Sequence, residues 1–290
     1  LWQSVFSAGK AGRTLKGVLN GVPLRHRIHP AIIIWPLGAW TTGALLDVLD
    51  TVASRKGDQS YRSSADASIA FGLVGAVPTA LAGWADWVDT YDHQRRVGMA
   101  HAILNLSAVG LYAASVGVRV MSPNSRGTAR ALAGLGYLTV AGGGVLGGEM
   151  VYNLGVNVPF QLYSKAPTEW VDLLSSEELP QGKPMVVDIE RVPVMLLRQG
   201  DQVVAVESWC PHAGGPLNEG KLEDGIVECP WHQSRFRLAD GAPLQGPATT
   251  PLHTFEVREE QGRISVRPSF EGQDYPPSPG PPEKVVASPQ

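Results

Sequence analysis

The chain has 290 residues and a formal net charge of −3, so it is long enough for two domains, and its charge does not favour a nucleic-acid-binding surface. Its mean hydropathy of −0.03 is that of a water-soluble protein, but the apolar residues are concentrated between residues 30 and 152. The remainder is polar and rich in proline. This asymmetry predicts a membrane half followed by a water-soluble half.

Residues 1–28 form a basic N-terminal arm without a single acidic residue. Its cations are Lys10, Arg13, Lys16, Arg25 and Arg27, and apolar residues are interleaved with them. Two interpretations remain open. The arm is either a basic amphipathic segment on an anionic membrane face or a loosely ordered arm before the first span.

Residues 29–153 are predicted to form an all-α four-helix transmembrane domain. The apolar stretches run from about residues 30–49, 67–88, 99–121 and 131–152, each close to the ~20 residues that cross a bilayer core. Glycine and alanine are frequent in them, which lets membrane helices approach closely and would be costly in a soluble helical bundle, the alternative. We expect an aromatic belt near the span ends, formed by Trp35, Trp40, Trp84 and Trp87.

Four spans place both ends of this domain on one side of the membrane, here named side A. Side A carries seven cations, namely Lys10, Arg13, Lys16, Arg25, Arg27, Arg95 and Arg96. The opposite side, side B, carries six, namely Arg55, Lys56, Arg62, Arg119, Arg126 and Arg130. Seven against six leaves the orientation of this multi-pass protein open, with a lean towards side A as cytoplasmic.

Acidic residues also occur near the span ends. They are Asp47, Asp50, Asp66, Asp86, Asp89 and Glu149, and we expect most of them to be solvated. Glu149 differs because it lies between glycines and the end of the fourth span.

From residue 158 the strand period replaces the helix period, and residues 158–268 are predicted to form a small all-β domain. The expected strands are 185–189, 192–197, 203–206, 226–229, 254–257 and 263–266. Turn signals such as Glu223-Asp224-Gly225 separate them. Residues 269–290 are a proline-rich tail, for which we expect a disordered or extended chain.

Both cysteines of the chain lie in two short motifs within the β domain. Cys210-Pro211-His212 and Cys229-Pro230-Trp231-His232 are separated by sixteen residues. Two cysteines and two histidines at this spacing match a [2Fe–2S] centre in which thiolates hold one iron and imidazoles the other. The competing interpretation is a tetrahedral zinc site with the same ligands, although zinc fingers usually open with Cys-x-x-Cys.

At these motifs the sequence resembles the Rieske family, over about Trp170 to Pro268. The resemblance continues into Arg235–Gly241 and into Gly246-Pro247-Ala248, which is similar to the family's proline-bearing loop beside the cluster. It implies that Cys210 and Cys229 hold a buried iron. It also implies that His212 and His232 hold an outer iron at an exposed edge of the domain.

The sequence departs from the quinol-oxidising members of that family. Those members carry a disulfide between the two ligand loops, but here Gly214 and Trp231 occupy the corresponding neighbourhoods. They also carry a Ser and a Tyr that hydrogen-bond the cluster, whereas this chain has Ser234 but Phe236. The chain therefore looks closer to the Rieske ferredoxins, and we predict a low-to-intermediate reduction potential within the Rieske range.

The residues of the β domain favour electron transfer over oxygenase chemistry. A Rieske oxygenase needs a second iron, held by two histidines and a carboxylate. Only His253 remains in this half once the four ligands are assigned. We therefore expect a carrier of single electrons with no catalytic residues of its own.

Four histidines of the membrane half, His26, His29, His93 and His101, lie on or near side A. His29 starts the first span, and we expect His101 in about the first turn of the third span. A b-type haem requires two imidazoles facing each other across a bundle, which His29 and His101 could supply. The alternative is that the histidines are interfacial and that the bundle is only an anchor.

The membrane half also resembles a family of small four-helix bacterial membrane proteins of unassigned function. The similar residues are His29-Pro30, Pro36-Leu37-Gly38, Gly83–Trp87 and His101–Asn105. Some members have a second histidine shortly before the proline that matches Pro36, where this chain has Ile34-Trp35. Other members are fused to a C-terminal Rieske domain, which is the arrangement found here.

Together these observations predict a membrane-anchored Rieske electron-transfer protein in a bacterial membrane. Its expected partners are lipid and a redox protein or quinone, with no nucleic acid. The alternative is a quinol-oxidising or haem-b-containing subunit of a larger respiratory or photosynthetic complex.

Overall fold

The computed structural model describes residues 9–54, 58–163 and 168–269. The chain divides into two compact units, Leu1–Asn157 and Val158–Gln290. The predicted proline-rich tail after Ser269 lies outside the described residues, as do the first eight residues of the basic arm and the cations Arg55 and Lys56.

The first unit is helical. Its helices are α1 (Gly9–Asn20), α2 (Ile28–Ile32), α3 (Ile34–Ser54), α4 (Arg62–Trp87), α5 (Asp92–Met121) and α6 (Arg126–Tyr152). Helices α2 and α3 together, and α4, α5 and α6 singly, give four stretches of 26 to 30 residues with mean hydropathy between 1.3 and 1.5. These helices are long and apolar enough to cross a membrane, which confirms the predicted four-helix membrane architecture.

The helices extend beyond the apolar stretches that predicted them. Helix α5 begins at Asp92, where a carboxylate is favourable at a helix N-terminus, and not at residue 99. His101 therefore follows the helix start by nine residues, or about 13 Å. The expectation that His101 lies in the first turn was wrong, because the polar residues before the apolar stretch are helical too.

The helix interfaces combine large aromatic side chains with glycine. The Trp40 ring stacks on Tyr112 with centroids 4.2 Å apart, and both side chains are buried. A Cβ on Gly72 would lie 2.4 Å from the indole nitrogen of Trp40, so only glycine permits this approach. Trp40 is thus a core residue and not part of an aromatic belt. Apolar side chains cover the outer surface instead, with Ile34 and Val145 each 73% exposed.

The expectation that the acidic residues near span ends are solvated was wrong for four of them. Asp47, Asp50, Asp86 and Asp89 are buried. Each lies within ion-pair distance of an arginine or lysine, among them Arg119 with Asp47, Arg130 with Asp50, Arg27 with Asp86 and Lys16 with Asp89. Burying a charge without a partner is costly, so these carboxylates enter the bundle together with their cations.

Helix α1 is fixed to the bundle by polar contacts at the end of α4. The side-chain amide of Asn20 donates to Asp86 at 2.7 Å, and the Lys16 ammonium contacts Asp89 at 2.5 Å. Arg27, between α1 and α2, reaches the same Asp86 carboxylate at 3.1 Å. The described part of the basic arm therefore contains a helix, α1, that has polar partners in the bundle.

The second unit consists of two antiparallel sheets. The larger sheet has the order β1-β10-β9-β4-β3-β2 and the smaller the order β5-β6-β7-β8. The strands are β1 (Val171–Ser175), β2 (Met185–Ile189), β3 (Val192–Gln199), β4 (Gln202–Glu207), β5 (Lys221–Glu223), β6 (Ile226–Glu228), β7 (Arg235–Arg237), β8 (Pro243–Gln245), β9 (Thr254–Glu260) and β10 (Arg263–Pro268). The predicted all-β fold of this half is confirmed.

All six predicted strands are present, and four further strands are not recognisable in the sequence. Strands β5, β7 and β8 have only three residues each, too short to show a period of two. One core cluster joins Met195 and Val206 of the larger sheet to Val227 and Phe236 of the smaller one. Cys210 and Cys229 belong to this cluster.

Candidate metal centre

Two loops of the second unit carry the predicted ligands. The first follows β4 and contains Cys210, and the second joins β6 to β7 and contains Cys229. In the first loop the Cys210 N–H donates to the Gly215 carbonyl at 2.9 Å, and the Gly214 N–H donates to the Cys210 carbonyl at 2.8 Å. The second loop repeats both bonds at 2.8 and 3.0 Å, between Cys229 and residues 234 and 233. The two ligand loops therefore share one pattern of backbone hydrogen bonds although their sequences differ.

Both turns require an unusual backbone conformation at the same position. Gly214 has φ +73° and Gln233 has φ +62°. Glycine adopts this region without strain, which explains Gly214. The next residue, Gly215, is glycine for a different reason: a Cβ on it would lie 2.8 Å from the Cys229 sulfur.

The two thiols meet in the core between the sheets, each residue 1% exposed. Backbone N–H groups donate to both sulfur atoms, those of His212 and Ala213 to Cys210 and those of Trp231 and His232 to Cys229. The Cys210 thiol donates to Cys229, which lowers the pKa of Cys229 to about 7, while the same bond and burial raise the pKa of Cys210. Such N–H donors stabilise the thiolate form that binds iron.

The two predicted histidine ligands also meet. The Nδ1 atoms of His212 and His232 are 3.2 Å apart, and their ring planes are inclined by 87°. Two nitrogen ligands about 2.1 Å from one metal ion at an angle of about 100° are separated by about 3.2 Å. Both rings are half-buried, and the adjacent Trp231 is 53% exposed. This donor set fits a cluster with a buried thiolate side and an imidazole side near the surface.

Ser234 is the last residue of the second ligand loop, and Phe236 follows it in β7. Both side chains are completely buried. The Ser234 hydroxyl accepts a hydrogen bond from the Ala248 N–H at 3.0 Å, which leaves its own proton to donate. Phe236 packs in the core cluster with Cys229 and has no polar atom to contribute.

A short segment before β1 supports the first ligand loop, and the sequence did not reveal it. The Phe160 N–H donates to the Pro211 carbonyl at 2.8 Å, and the Phe160 ring meets Trp209 edge-on. The buried Gln161 side chain donates to the Trp209 carbonyl at 3.3 Å. No local pattern predicts these contacts, because residues 160 and 211 are far apart in sequence.

The remaining predicted site residues fall into three groups. His29 and His101 come together, with ring centroids 6.5 Å apart. His26 and His93 are exposed. His253 contacts the buried Glu207 carboxylate through Nδ1 at 2.9 Å, a pair that no sequence pattern predicts.

The second unit is thus a small antiparallel β domain whose paired loops offer two thiolates and two imidazoles, the class of protein that carries a [2Fe–2S] centre. The Rieske [2Fe-2S] domain model matches residues 169–256, and the chain belongs to the Rieske family. Residues 25–159 match a second family, described as Predicted membrane protein (DUF2231). The predicted fusion of a Rieske domain to a four-helix membrane domain is confirmed.

Similar proteins include ferredoxins of dioxygenase systems. The anthranilate 1,2-dioxygenase ferredoxin subunit of Burkholderia cepacia is 34% identical over 98 residues, which are 34% of this chain and 91% of that protein. The ferredoxin component of the naphthalene 1,2-dioxygenase system of Pseudomonas aeruginosa is 30% identical, over 34% of this chain and 94% of that protein.

A solved structure, the ferredoxin of carbazole 1,9a-dioxygenase from Nocardioides aromaticivorans, is 32% identical to this chain. It covers 34% of this chain and 97% of its own, with a TM-score of 0.33. These similarities concern the second unit of the chain.

Proposed function

We propose that this chain is a membrane-anchored electron-transfer protein that passes single electrons between a membrane redox partner, protein or quinol, and a second protein. In this proposal residues 29–153 anchor the chain and residues 158–268 carry a [2Fe–2S] cluster. Cys210 and Cys229 hold the buried iron, and His212 and His232 hold the outer one. The cluster supplies one-electron redox chemistry when bound.

The observation that carries the proposal is the pairing of the four donors. Two buried thiols accept backbone N–H bonds, and two imidazoles stand with Nδ1 atoms 3.2 Å apart beside an exposed tryptophan. The buried side excludes water from the sulfurs, and the half-buried histidines offer an edge at which a partner can approach. The similar ferredoxins, which are named as components of dioxygenase systems, support a protein partner at this edge.

Replacing one ligand tests the proposal. We expect Cys229→Ser and His232→Ala to abolish the Rieske electron paramagnetic resonance (EPR) signal of the reduced protein, because each removes a ligand of the cluster. Membrane fractionation should still recover both variants in the bilayer. His253→Gln is the matched control, since it alters the remaining histidine of this unit and leaves the four donors intact. A full Rieske signal in Cys229→Ser would refute the assignment.

Side A is proposed as the cytoplasmic face. On side B the described cations Arg62, Arg119, Arg126 and Arg130 all lie within ion-pair distance of bundle aspartates. Among the seven cations of side A, all within the described residues, only Lys16 and Arg27 lie at such a distance from an aspartate. More cations of side A thus remain available to the membrane surface, which favours a cytoplasmic location.

The second candidate function is a quinol-oxidising or haem-b-containing redox subunit of a larger respiratory or photosynthetic complex. The approach of His29 and His101 favours it. A reduced-minus-oxidised optical spectrum separates the two functions, because sharp b-type haem bands belong to the second alone.

A further inference from the structure

Two histidine side chains meet within the helical unit and have no role in the proposed cluster. The rings of His29 and His101 have centroids 6.5 Å apart and planes inclined by 83°. His29 lies on α2, which begins the first span, and His101 lies on α5. Their hydrogen-bond partners are on α4 and α6, so the pair involves all four spans.

The backbone contacts define which nitrogen of each ring carries the proton. The Nδ1 of His29 lies 3.0 Å from the Thr79 carbonyl, and the Nδ1 of His101 lies 2.7 Å from the Gly143 carbonyl. A carbonyl oxygen only accepts, so each Nδ1 is the donor and each Nε2 of the neutral ring keeps its lone pair. Histidine ligands of metals are commonly oriented by such a bond from the second nitrogen.

Asn105 does not occupy the lone pair of His101. Its amide nitrogen donates to the His101 carbonyl at 2.8 Å and lies 3.4 Å from Nδ1 and 3.3 Å from Nε2. Nearly equal distances to both ring nitrogens place it over the ring face, whereas the lone pair points outward in the ring plane. The Nε2 atom therefore stays able to bind a metal.

The spacing of the rings fits two axial ligands of one haem iron. With each nitrogen about 2.0 Å from the iron and each ring centre about 1.2 Å further, the centroids are about 6.4 Å apart. The observed 6.5 Å agrees with this spacing. A haem needs only two protein ligands, whereas zinc sites use three or four, so the pair suits a haem better than a bare ion.

Two glycines leave room for the imidazole rings of His29 and His101 against α4 and α6. A Cβ on Gly83 would lie 2.8 Å from Cε1 of His29, and a Cβ on Gly147 would lie 3.2 Å from Cε1 of His101. His29 is the second residue of the first span, and His101 is about 13 Å from the start of α5. Ionisable side chains within membrane spans are expensive and usually functional.

We infer that His29 and His101 are the axial ligands of one b-type haem in the four-helix unit, each bound through Nε2. The proposed electron carrier requires only the [2Fe–2S] cluster, so this site goes beyond it and would supply the haem of the second candidate function. It would make the chain a protein with two one-electron centres.

The test uses the full-length protein, purified in detergent from a host supplied with haem. Pyridine haemochrome analysis should give one haem b per chain, and the reduced spectrum should show sharp low-spin bands. His29→Ala and His101→Ala should each lose the haem or its low-spin bands. His26→Ala and His93→Ala are matched controls, because both histidines are exposed and should leave the spectrum unchanged.

A conservative variant keeps the test decisive if an alanine variant fails to fold. His101→Met should retain a low-spin haem with a raised potential, since Met/His ligation raises the potential of a haem. The Rieske EPR signal of the same samples reports the cluster separately, so failure of one site is distinguishable from failure of the other. Absence of haem from the wild-type protein, or unchanged bands in both alanine variants, would overturn the inference, as would an unchanged potential in His101→Met.

Discussion

At the scale of single residues, Ser234 and Phe236 are the side chains that distinguish this Rieske centre. The buried Ser234 hydroxyl accepts a hydrogen bond from the Ala248 N–H, so its own proton is available to donate to a sulfur of the proposed cluster. Phe236 occupies the position where quinol-oxidising members carry a hydrogen-bonding Tyr. One donor in place of two should leave the reduced cluster less stabilised, because hydrogen bonds to the sulfurs raise the potential.

Removing the remaining donor should lower the reduction potential. A hydrogen bond to a charged group contributes about 1.5–3 kcal/mol, which for one electron corresponds to about 60–130 mV. We expect Ser234→Ala to shift the midpoint downward by this amount in an EPR-monitored redox titration. Phe236→Tyr should shift it upward, because it restores the hydroxyl that the quinol-oxidising members carry at this position.

Ser265→Ala is the control for this titration, since that hydroxyl faces Asp172 on the exposed side of the larger sheet. Its midpoint should equal that of the unaltered protein. A Ser234→Ala midpoint that also equals it would mean that the hydroxyl does not contact the cluster. A wild-type potential near +300 mV, the top of the range of about −150 to +300 mV, would contradict the predicted low-to-intermediate value.

The four cluster ligands could be proposed from sequence because their chemistry and spacing are local. Each loop contributes one thiolate and one imidazole within three or four residues. The supporting contacts could not be proposed in the same way. Phe160 reaches Pro211, and Gln161 reaches Trp209, only after the chain has folded back on itself.

At the scale of helices, the four spans are joined on side B by a buried set of charges. Arg119 of α5 contacts Asp47 of α3 at 3.0 Å and Asp66 of α4 at 2.6 Å. Arg126 and Arg130 of α6 complete the set with Asp66 and Asp50. Each helix supplies at least one charge, so the network fixes the helices relative to one another.

Among these charged residues, replacing Arg119 should lower the stability of the helical unit most, because its side chain is only 2% exposed. Arg119→Gln should destabilise the helical unit by about 3 kcal/mol, since removing one partner of a buried pair leaves an uncompensated charge. This value is at the lower end for such losses, because Arg126 and Arg130 remain 3.9 and 3.8 Å from Asp47. Thermal unfolding in detergent, followed by far-UV circular dichroism, measures the change.

The control for this variant is Arg96→Gln, which removes the same charge from an exposed position of α5. Its unfolding should change by less than about 0.5 kcal/mol. Equal unfolding curves for both variants would show that the charge network does not hold the helices together.

At the scale of the whole molecule, the number of spans determines on which side of the membrane the chain continues after the bundle. Four spans return the chain to side A at Tyr152, the end of α6, and the Rieske unit follows. The orientation of the bundle therefore decides which compartment holds the cluster.

Fusion reporters can determine that orientation. Green fluorescent protein joined to the C-terminus should fluoresce, and alkaline phosphatase at the same place should be inactive, because we propose side A as cytoplasmic. Fusions after Asn124, between α5 and α6 on side B, should give the opposite pattern. Active phosphatase at the C-terminus would place the Rieske unit on the other side of the membrane.

The sequence by itself determined the two-part architecture, the four spans and most strands, and it was sufficient to propose the four cluster donors. These features depend on apolar length, alternation over five or more residues, and spacing within a loop, all of which are local. Tertiary structure alone decided that Asp47 and Asp50 are buried with arginine partners and that Trp40 is a core residue. It also brought the rings of His29 and His101 to a centroid distance of 6.5 Å. The physical reason is that burial, charge pairing and ring spacing depend on which helix faces meet, and hydropathy along one chain does not contain that information.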